Sequence, residues 1–236
     1  MSTFTIIVPI FNEKDNLSRL ESELVSFVNS TVFETKVLLI NDGSTDGSED
    51  IINEICKKND FFESISFIKN SGLSSALKAG FDLCNSEYIG YIDADLQTSP
   101  SDFHVLLKYI DQYDLVTGYR SNRKDSYLKN ISSLVANGIR NIFTSDGVND
   151  TGCPLKVIKT DFAKRIPMFK GLHRFLPAMI LLQKGKIIEV PVKHFPRIAG
   201  KTKFGLFNRI LGPLSDCFAF IWMKKNYINY QIKDNE

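Results

Sequence analysis

The chain has 236 residues, 43% apolar and 24% charged, which is an ordinary globular balance and enough chain for one large core. No run of about 18 uncharged apolar residues occurs, and Met1 leads into a strand-like run without a basic flank, so we expect neither a membrane span nor secretion. The net charge is +2, but acidic and basic side chains are unevenly distributed along the chain. Residues 1–118 carry 19 acidic and 8 basic side chains, and residues 119–236 carry 8 acidic and 21 basic ones. Such asymmetry favours an anionic partner for the second half, such as phosphate, nucleic acid or an acidic lipid surface, unless the fold mixes the charges again.

Short runs rich in β-branched and aromatic residues recur along the first half and predict buried parallel strands. They are Phe4–Ile10, Lys36–Asn41, Ile65–Lys69, Glu87–Ile92 and Asp114–Gly118. Helical patterns lie between them at Asn12–Val28, Asp46–Lys57, Leu73–Cys84 and Pro100–Tyr109, the last with Ser99 as its N-cap. This alternation predicts an α/β fold with a mostly parallel, doubly wound sheet and helices on both faces.

The pattern loosens beyond Arg120. The sequence predicts strands at Leu155–Ile158 and Ile187–Val192, a helix at His173–Gln183, and amphipathic helices at Ser126–Phe143 and Leu206–Met223. We therefore expect one domain over residues 1–225, with halves at 1–120 and 121–225, followed by a polar tail at 226–236.

The cysteines are widely spaced and form no CxxC pair. They are Cys56, Cys84, Cys153 and Cys217, with only three histidines as companions. This spacing favours reduced thiols in a cytosolic protein over a disulfide or a zinc site.

Ligands of an open α/β sheet bind beyond the carboxyl ends of its strands, where this chain places four polar segments. The strongest signal is the segment Asp93-Ala-Asp-Leu-Gln97. In an extended chain Asp93, Asp95 and Gln97 project to one side, while Ala94 and Leu96 face the core. Two carboxylates and an amide oxygen suit Mg²⁺ or Mn²⁺ held together with a substrate diphosphate. Capping of the next helix is the competing interpretation, but Ser99 already supplies that cap.

The segment Asn41-Asp-Gly-Ser-Thr-Asp46 is typical of a tight loop that caps a helix, a role that does not require Asp42. We interpret Asp42 as a ligand of a nucleobase or ribose. The chain has no GxxxxGK[ST] loop and no glycine fingerprint of dinucleotide folds, so metal and side-chain cations must hold the diphosphate. The Gly-containing segment 194–205 groups cations for this purpose, among them Arg197 and Lys203.

The two amphipathic helices could simply face the core. Trp222 followed by Lys224 and Lys225, however, is typical of an aromatic anchor with snorkelling lysines at a membrane surface. We favour membrane contact.

With these motifs the chain resembles the family-2 glycosyltransferases of GT-A fold, and within them the dolichyl-phosphate mannose synthase and polyprenyl-phosphate glycosyltransferase branch. The resemblance runs from Ile6 to about Lys224. It is carried by Val8-Pro-Ile-Phe-Asn-Glu13, the segments 41–46 and 93–97, Gly118-Tyr-Arg120, Asp150-Thr-Gly-Cys153 and Gly200-Lys-Thr-Lys-Phe-Gly205.

The resemblance implies roles for these residues. Pro9, Phe11, Glu13, Asp42, Asp93, Ala94 and Asp95 would hold the nucleotide-sugar, and Asp93, Asp95 and Gln97 would hold the metal. Arg120, Arg197 and Lys203 would face the phosphates of donor and acceptor, whereas Lys129 stands where the branch often has an arginine. The first half would bind the donor and the second half would meet the acceptor and the membrane, with cytoplasmic, peripheral attachment to its inner face and no nucleic-acid partner.

The expected reaction is inverting transfer from GDP-mannose or a UDP-sugar to a polyprenyl or dolichyl phosphate. A lipid phosphate oxygen is already anionic and needs no general base, so Asp150 is either a positioning residue or, for a hydroxyl acceptor, the base. Two alternatives stay open: a family-2 enzyme that extends a saccharide or glycolipid at a hydroxyl, and a sugar nucleotidyltransferase of related fold. The sequence fixes neither the donor base nor the oligomeric state.

Overall fold

A computed structural model describes residues 2–120, 138, 140–196 and 211–228, the last range without the side chains of 211–214. Seven strands form one sheet in the order β3-β2-β1-β4-β6-β5-β7. They are β1 Thr3–Ile10, β2 Glu34–Asn41, β3 Phe62–Ser66, β4 Tyr88–Tyr91, β5 Leu115–Arg120, β6 Lys156–Lys159 and β7 Ile187–Val192. Each predicted strand is therefore confirmed to within a few residues.

The helices flank the sheet. They are α1 Lys14–Ser30, α2 Ser48–Lys58, α3 Leu73–Leu83, α4 Phe103–Leu107, α5 Thr160–Lys164, α6 Leu176–Leu182 and α7 Leu211–Asn226, with 3-10 turns at Pro100–Asp102 and Leu172–Phe175. Ser99 accepts a hydrogen bond from the Ser101 amide at 3.3 Å, which confirms the predicted cap. Helix α5 was not predicted. The predicted helix 126–143 lies largely outside the described residues, although residues 140–144 are helical.

The strand β6 interrupts an otherwise parallel sheet. It lies antiparallel between β4 and β5 and separates these two strands, which follow one another along the chain. Periodicity identifies a strand but not its neighbours, which is why the sequence left this insertion open. Its consequence is that Lys156, at the start of β6, lies at the carboxyl end of β4.

Each face of the sheet carries its own apolar core. Helices α1, α2 and α4 cover one face, where Phe4 and Phe103 meet edge to face at 5.3 Å. Helices α3, α5, α6 and α7 supply the core of the other. Burying one large apolar side chain contributes roughly 1.5–3 kcal/mol of transfer free energy. The many buried side chains of these two cores therefore stabilise the sheet, which carries the polar segments at its edge.

Helix α7 is apolar on two sides. Cys217, Phe220 and Met223 are buried in the second core, and Phe220 stacks on Phe175 at 5.5 Å. The sequence also predicts an apolar stripe that includes Phe218, Ile221 and Trp222, and these residues lie away from that core, since Phe218 is 60% and Trp222 is 70% exposed. The sequence analysis did not identify the buried positions Cys217, Phe220 and Met223. Within the described ranges, no helix has the length and apolar character needed to cross a membrane.

Candidate active site

The loops after β1 and β2 are tied together by side-chain hydrogen bonds. Asn12 has a φ of 51°, its amide donates to Ser44 Oγ at 3.0 Å, and its Oδ1 accepts from the Thr45 amide at 2.7 Å. The Glu13 amide donates to Ser48 Oγ at 3.1 Å. The predicted nucleotide ligands Pro9, Phe11 and Glu13 are half-buried on this strand and loop. These contacts place the two segments side by side at the carboxyl edge of the sheet.

Asp42 is buried and engaged by the loop that precedes α3. Its Oδ1 accepts from the Ser71 amide at 2.6 Å, and its Oδ2 accepts from Asn70 Nδ2 and from the Gly72 amide, both at 2.9 Å. The next residue, Gly43, has a φ of +66°, and a Cβ there would lie 2.5 Å from the backbone of Lys69. The structure thus gives Asp42 a loop-holding role that the sequence did not suggest, and its contact with a nucleobase stays a prediction.

The segment 93–97 turns instead of extending. Leu96 has a φ of 50° and its amide approaches the Asp93 carbonyl at 3.4 Å, so the assumption of an extended chain was wrong. The predicted alternation nevertheless holds for the apolar positions, because Ala94 and Leu96 are buried in the first core. The left-handed residue lets the chain turn while the leucine side chain stays in the core.

Tyr91, at the end of β4, interacts with the carboxylates of this segment. Burial raises the pKa of Tyr91 well above its ordinary value, and the charges of both Asp93 and Asp95 raise this pKa further. The phenol therefore stays protonated and donates to Asp93 Oδ1 at 2.7 Å. Asp95 Oδ1 accepts from the Gln97 amide at 3.2 Å. Each carboxylate is thus oriented by a protein donor.

The oxygen donors Asp93, Asp95 and Gln97 fit a hard divalent ion in their chemistry. Across the described residues, no three histidine, cysteine or acidic side chains are arranged to hold a metal by themselves. An ion here would complete its coordination with water and substrate phosphate, as Mg²⁺ commonly does.

Arg120 and Asp150 form a two-point ion pair beside this segment. Arg120 Nε and Nη2 each donate to one Asp150 oxygen at 2.8 Å, and the Arg120 amide donates to Oδ2 at 3.2 Å. Glu189 of β7 holds the loop from behind by accepting from the Asn149 amide at 2.9 Å and from the Asp150 amide at 3.0 Å. The two predicted residues are therefore brought together, on a loop fixed by a glutamate that the sequence analysis missed.

Lys156 is the most unusual charged residue near the site, since it is 1% exposed. It pairs with Tyr91 of β4 and Thr117 of β5, and its Nζ donates to the carbonyls of Thr151, at 3.3 Å, and Cys153. Burial lowers the pKa of the Lys156 ammonium, an effect opposed by the charges of Cys153, Asp150 and Asp93. A lysine inside the apolar run 155–158 was the sequence signal that could have identified it.

His173 lies on the same side of the sheet. Its Nδ1 lies 2.8 Å from Ser74 Oγ, which also accepts from the Gly171 amide at 3.1 Å. Burial, with smaller contributions from Arg174 and Lys156, lowers the pKa of His173 to about 3, so the ring is neutral at ordinary pH. The sequence analysis gave this histidine no role.

The residues that follow β7 begin the predicted basic loop and are hydrogen-bonded near the segment 93–97. The Lys193 amide donates to Asp102 at 2.8 Å, and the Phe195 amide donates to the Gln97 carbonyl at 2.9 Å. Arg197, Lys203 and Lys129 lie outside the described residues, so their predicted phosphate contacts stay predictions. All four cysteines are free, as predicted, and burial raises the pKa of Cys153 to about 11.

Comparison with known proteins places these motifs in context. Residues 5–165 match the family model described as glycosyl transferase family 2. An undecaprenyl-phosphate 4-deoxy-4-formamido-L-arabinose transferase from Edwardsiella ictaluri is 30% identical over 208 residues, covering 87% of this chain and 64% of that protein. A dodecaprenyl-phosphate galacturonate synthase from Rhizobium johnstonii is 30% identical over 225 residues, covering 91% and 66%. The chain thus spans just under two thirds of each relative.

Solved structures share the fold. A glucosyl-3-phosphoglycerate synthase from Mycobacterium tuberculosis, in complex with UDP, has a TM-score of 0.70 at 16% identity and covers 92% of this chain and 80% of that one. A mannosyl-3-phosphoglycerate synthase from Rubrobacter xylanophilus has a TM-score of 0.71 at 13% identity, covering 98% and 77%. The Mycobacterium protein was also crystallised with Mn²⁺ and UDP-glucose. At these identities the likeness is one of fold, and it confirms the predicted GT-A architecture.

Proposed function

The chain belongs to glycosyl transferase family 2, as its motifs predicted, and from that premise we propose that it moves a sugar from a nucleotide-sugar to the phosphate of a polyprenyl lipid. The acceptor class is supported by two relatives, whose names give undecaprenyl phosphate and dodecaprenyl phosphate. The donor would be GDP-mannose or a UDP-sugar.

One observation carries the proposal: acidic and basic groups suited to a sugar diphosphate lie at one edge of the sheet. Asp93 and Asp95 follow β4, and both influence the same phenol of Tyr91. The Arg120–Asp150 pair lies at the end of β5, and the charges of Asp93, Asp150 and Arg120 all act on Lys156. In an α/β sheet this edge is where ligands bind.

A divalent metal, Mg²⁺ or Mn²⁺, would be held by Asp93, Asp95 and Gln97 and would stabilise the charge of the departing nucleoside diphosphate. The acceptor oxygen would attack the anomeric carbon from the opposite face, with inversion. Arg120 would face the phosphates while Asp150 fixes its guanidinium plane. Because both Asp150 oxygens are engaged by Arg120, the pair supports a positioning role for Asp150.

The basic loop would supply the remaining phosphate ligands. Phe195 is hydrogen-bonded to Gln97, and Arg197 follows it by two residues, which supports a role for Arg197 at the diphosphate. Lys203, on the same segment, would meet the acceptor phosphate.

Helix α7 would bind the membrane that carries the lipid. Phe218, Ile221 and Trp222 form an exposed stripe, and Phe218 contacts Phe143 at 5.8 Å beside the exposed Ile142. Exposed apolar stripes of this kind mark interaction surfaces. Lys224 and Lys225 end the helix, as suits attachment to an anionic, cytoplasmic leaflet.

The transfer is tested by incubating the protein with UDP-sugars and GDP-sugars, Mn²⁺ and a short polyprenyl phosphate. We expect a lipid phosphosugar and free nucleoside diphosphate, with inverted anomeric configuration by NMR. Release of pyrophosphate would indicate a nucleotidyltransferase, and product formed only on a polyprenol or a saccharide would indicate a hydroxyl acceptor. Asp150→Asn adds a second criterion, since near-complete loss of turnover with intact donor binding would contradict the phosphate acceptor.

The membrane contact is tested by co-sedimentation with vesicles of mixed neutral and anionic lipid. A large aromatic side chain contributes roughly 1.5–3 kcal/mol when fully buried, so we expect Phe218→Ser with Trp222→Ser to weaken binding by tenfold or more. Val32→Ser is the matched control, because Val32 is 76% exposed and far from α7 in sequence. Equal binding by all variants would refute this surface.

A further inference from the structure

His173 and Ser74 are in contact although they are 99 positions apart in the sequence. Nδ1 of His173 lies 2.8 Å from Ser74 Oγ, and the same oxygen accepts a hydrogen bond from the Gly171 amide at 3.1 Å. Ser74 is 6% exposed, and buried hydroxyl groups are as a rule hydrogen-bonded in this way. Two groups of the segment 171–175 therefore hold one side chain in the first turn of α3.

The residues next to His173 are themselves anchored on the second core. Phe175 is fully buried and stacks on Phe220 of α7 at 5.5 Å. Arg174 Nη1 donates to Asp216 Oδ2 of the same helix at 3.2 Å. Because these contacts fix the backbone on the C-terminal side of His173, its imidazole ring has a defined place against α3.

The first turn of α3 is joined to the loop that holds Asp42. The Ser75 hydroxyl donates to the Ser71 carbonyl at 2.8 Å. The amides of Ser75 and Ala76 donate to the Gly72 carbonyl at 2.9 Å and 3.2 Å. The amides of Ser71 and Gly72 in turn donate to the two oxygens of Asp42. A shift of this turn would therefore displace the N–H groups that hold the Asp42 carboxylate.

We propose that His173 is a positioning residue of the nucleotide site: through Ser74 it holds the first turn of α3 and, with that turn, the loop that orients Asp42. This role deepens the proposed function, because it rests on a nucleotide that binds at Asp42. When only a fraction of the molecules has a loop that is competent to bind, the apparent affinity falls by that fraction. Loss of the contact between His173 and Ser74 should therefore weaken nucleotide binding and leave metal binding at the segment 93–97 unchanged.

The experiment measures nucleotide binding and metal binding separately. UDP and GDP are titrated by calorimetry in the presence of Mn²⁺, and Mn²⁺ alone is titrated by electron paramagnetic resonance. His173→Leu and Ser74→Ala each remove one side of the contact, whereas His173→Asn keeps a hydrogen-bonding atom near the place of Nδ1. His104→Leu is the matched control, because His104 Nε2 lies 3.1 Å from Ser30 Oγ, at the end of α1 and on the opposite edge of the sheet.

We expect His173→Leu and Ser74→Ala to bind the nucleotide on the order of fivefold more weakly than wild type, the factor that one net hydrogen bond contributes. The double variant should lose no more affinity than either single variant, because both changes remove the same contact. His173→Asn and His104→Leu should bind the nucleotide like wild type, and all variants should bind Mn²⁺ like wild type.

Thermal melting identifies the variants that fold, and either His173→Leu or Ser74→Ala in folded form decides the question. An unchanged nucleotide affinity in such a variant, or an equal loss of Mn²⁺ affinity, would overturn the role of His173 while leaving the proposed function intact. Failure of the wild type to bind either nucleotide would overturn the proposed function and this role together.

Discussion

Replacing Asp42 by asparagine separates two roles of this residue, one in holding a loop and one in binding a nucleotide. The change keeps the size of the side chain but turns one of its oxygens into an N–H donor. The carboxylate accepts from three donors: the Ser71 amide at 2.6 Å, and Asn70 Nδ2 and the Gly72 amide at 2.9 Å. Whichever way the asparagine amide rotates, at least one of these N–H groups loses its acceptor.

Because Asn70 and Ser71 are exposed, water can partly replace the lost acceptor, and the change should cost about 1 kcal/mol, the net contribution of one hydrogen bond. For a chain of this length we expect the melting temperature of Asp42→Asn to fall by about 2–4 °C for each kcal/mol. The assay is urea unfolding followed by circular dichroism, with nucleoside diphosphate binding measured on the folded variant. Asp60→Asn is the control, since it makes the same chemical change at an exposed aspartate.

The two roles give different results. If Asp42 holds the loop, stability and nucleotide affinity fall together, whereas Mn²⁺ binding at the separate segment 93–97 is retained. If the free energy of unfolding of Asp42→Asn lies within about 0.5 kcal/mol of the wild-type value, the loop-holding role is refuted. Nucleotide affinity lost without any change in stability would instead support direct contact with the base.

Three further predictions concern the surroundings of the site. Burial lowers the pKa of His173 to about 3, below its unfolded value, so the neutral ring stabilises the fold above about pH 6.5 and this stabilisation is lost as the pH falls. Between pH 6.5 and 5, the free energy of unfolding of wild type should fall by up to about 1.4 kcal/mol per pH unit more than that of His173→Asn. Parallel curves of stability against pH for the two proteins would contradict this. Gly171→Ala should lower the melting temperature, because the residue has a φ of +93° and a Cβ would lie 2.3 Å from the Asp216 carboxylate; an unchanged melt would be the contrary result. Glu189→Ala should reduce kcat and leave Mn²⁺ affinity unchanged, since the loop that carries Asp150 loses its anchor, and an unchanged kcat would count against that anchor.

The sequence predicted the parts of the fold that depend on local pattern. The strands and most helices were found because buried runs and capping residues such as Ser99 leave a signal within a few positions. The antiparallel insertion of β6 was not predictable, because strand order depends on contacts between distant segments. The same limit explains α7: its sequence carries two apolar stripes, and only the packing of Phe220 against Phe175 decides which of them is buried.

The candidate site shows a similar division. The motif around Asp93 was identified by residue type, but its backbone turn depends on Leu96 adopting a positive φ, which a leucine rarely does. The pairing of Arg120 with Asp150 joins residues that are 30 positions apart, and no local pattern reveals it. Lys156 was included in the predicted strand Leu155–Ile158 and given no role, because a local pattern does not reveal which distant groups surround its side chain.

The segregation of acidic residues in the first half and basic residues in the second half is explained by the side chains that meet at the carboxyl edge of the sheet. Two carboxylates of the acidic half help to build the candidate site: Asp42 holds the loop before α3, and Asp46 accepts from the Lys14 amide at 3.1 Å. Their negative charge is thereby fixed at the edge where the proposed donor diphosphate would bind, and binding of this doubly charged group would be unfavourable unless cations oppose it. The described part of the basic half brings Arg120 and Lys156 to that edge. Under the proposed function, an anionic substrate would therefore bind only with the help of cations from the second half. We expect any variant that separates β6 from β4 to lose this binding even when the loops of the first half stay folded.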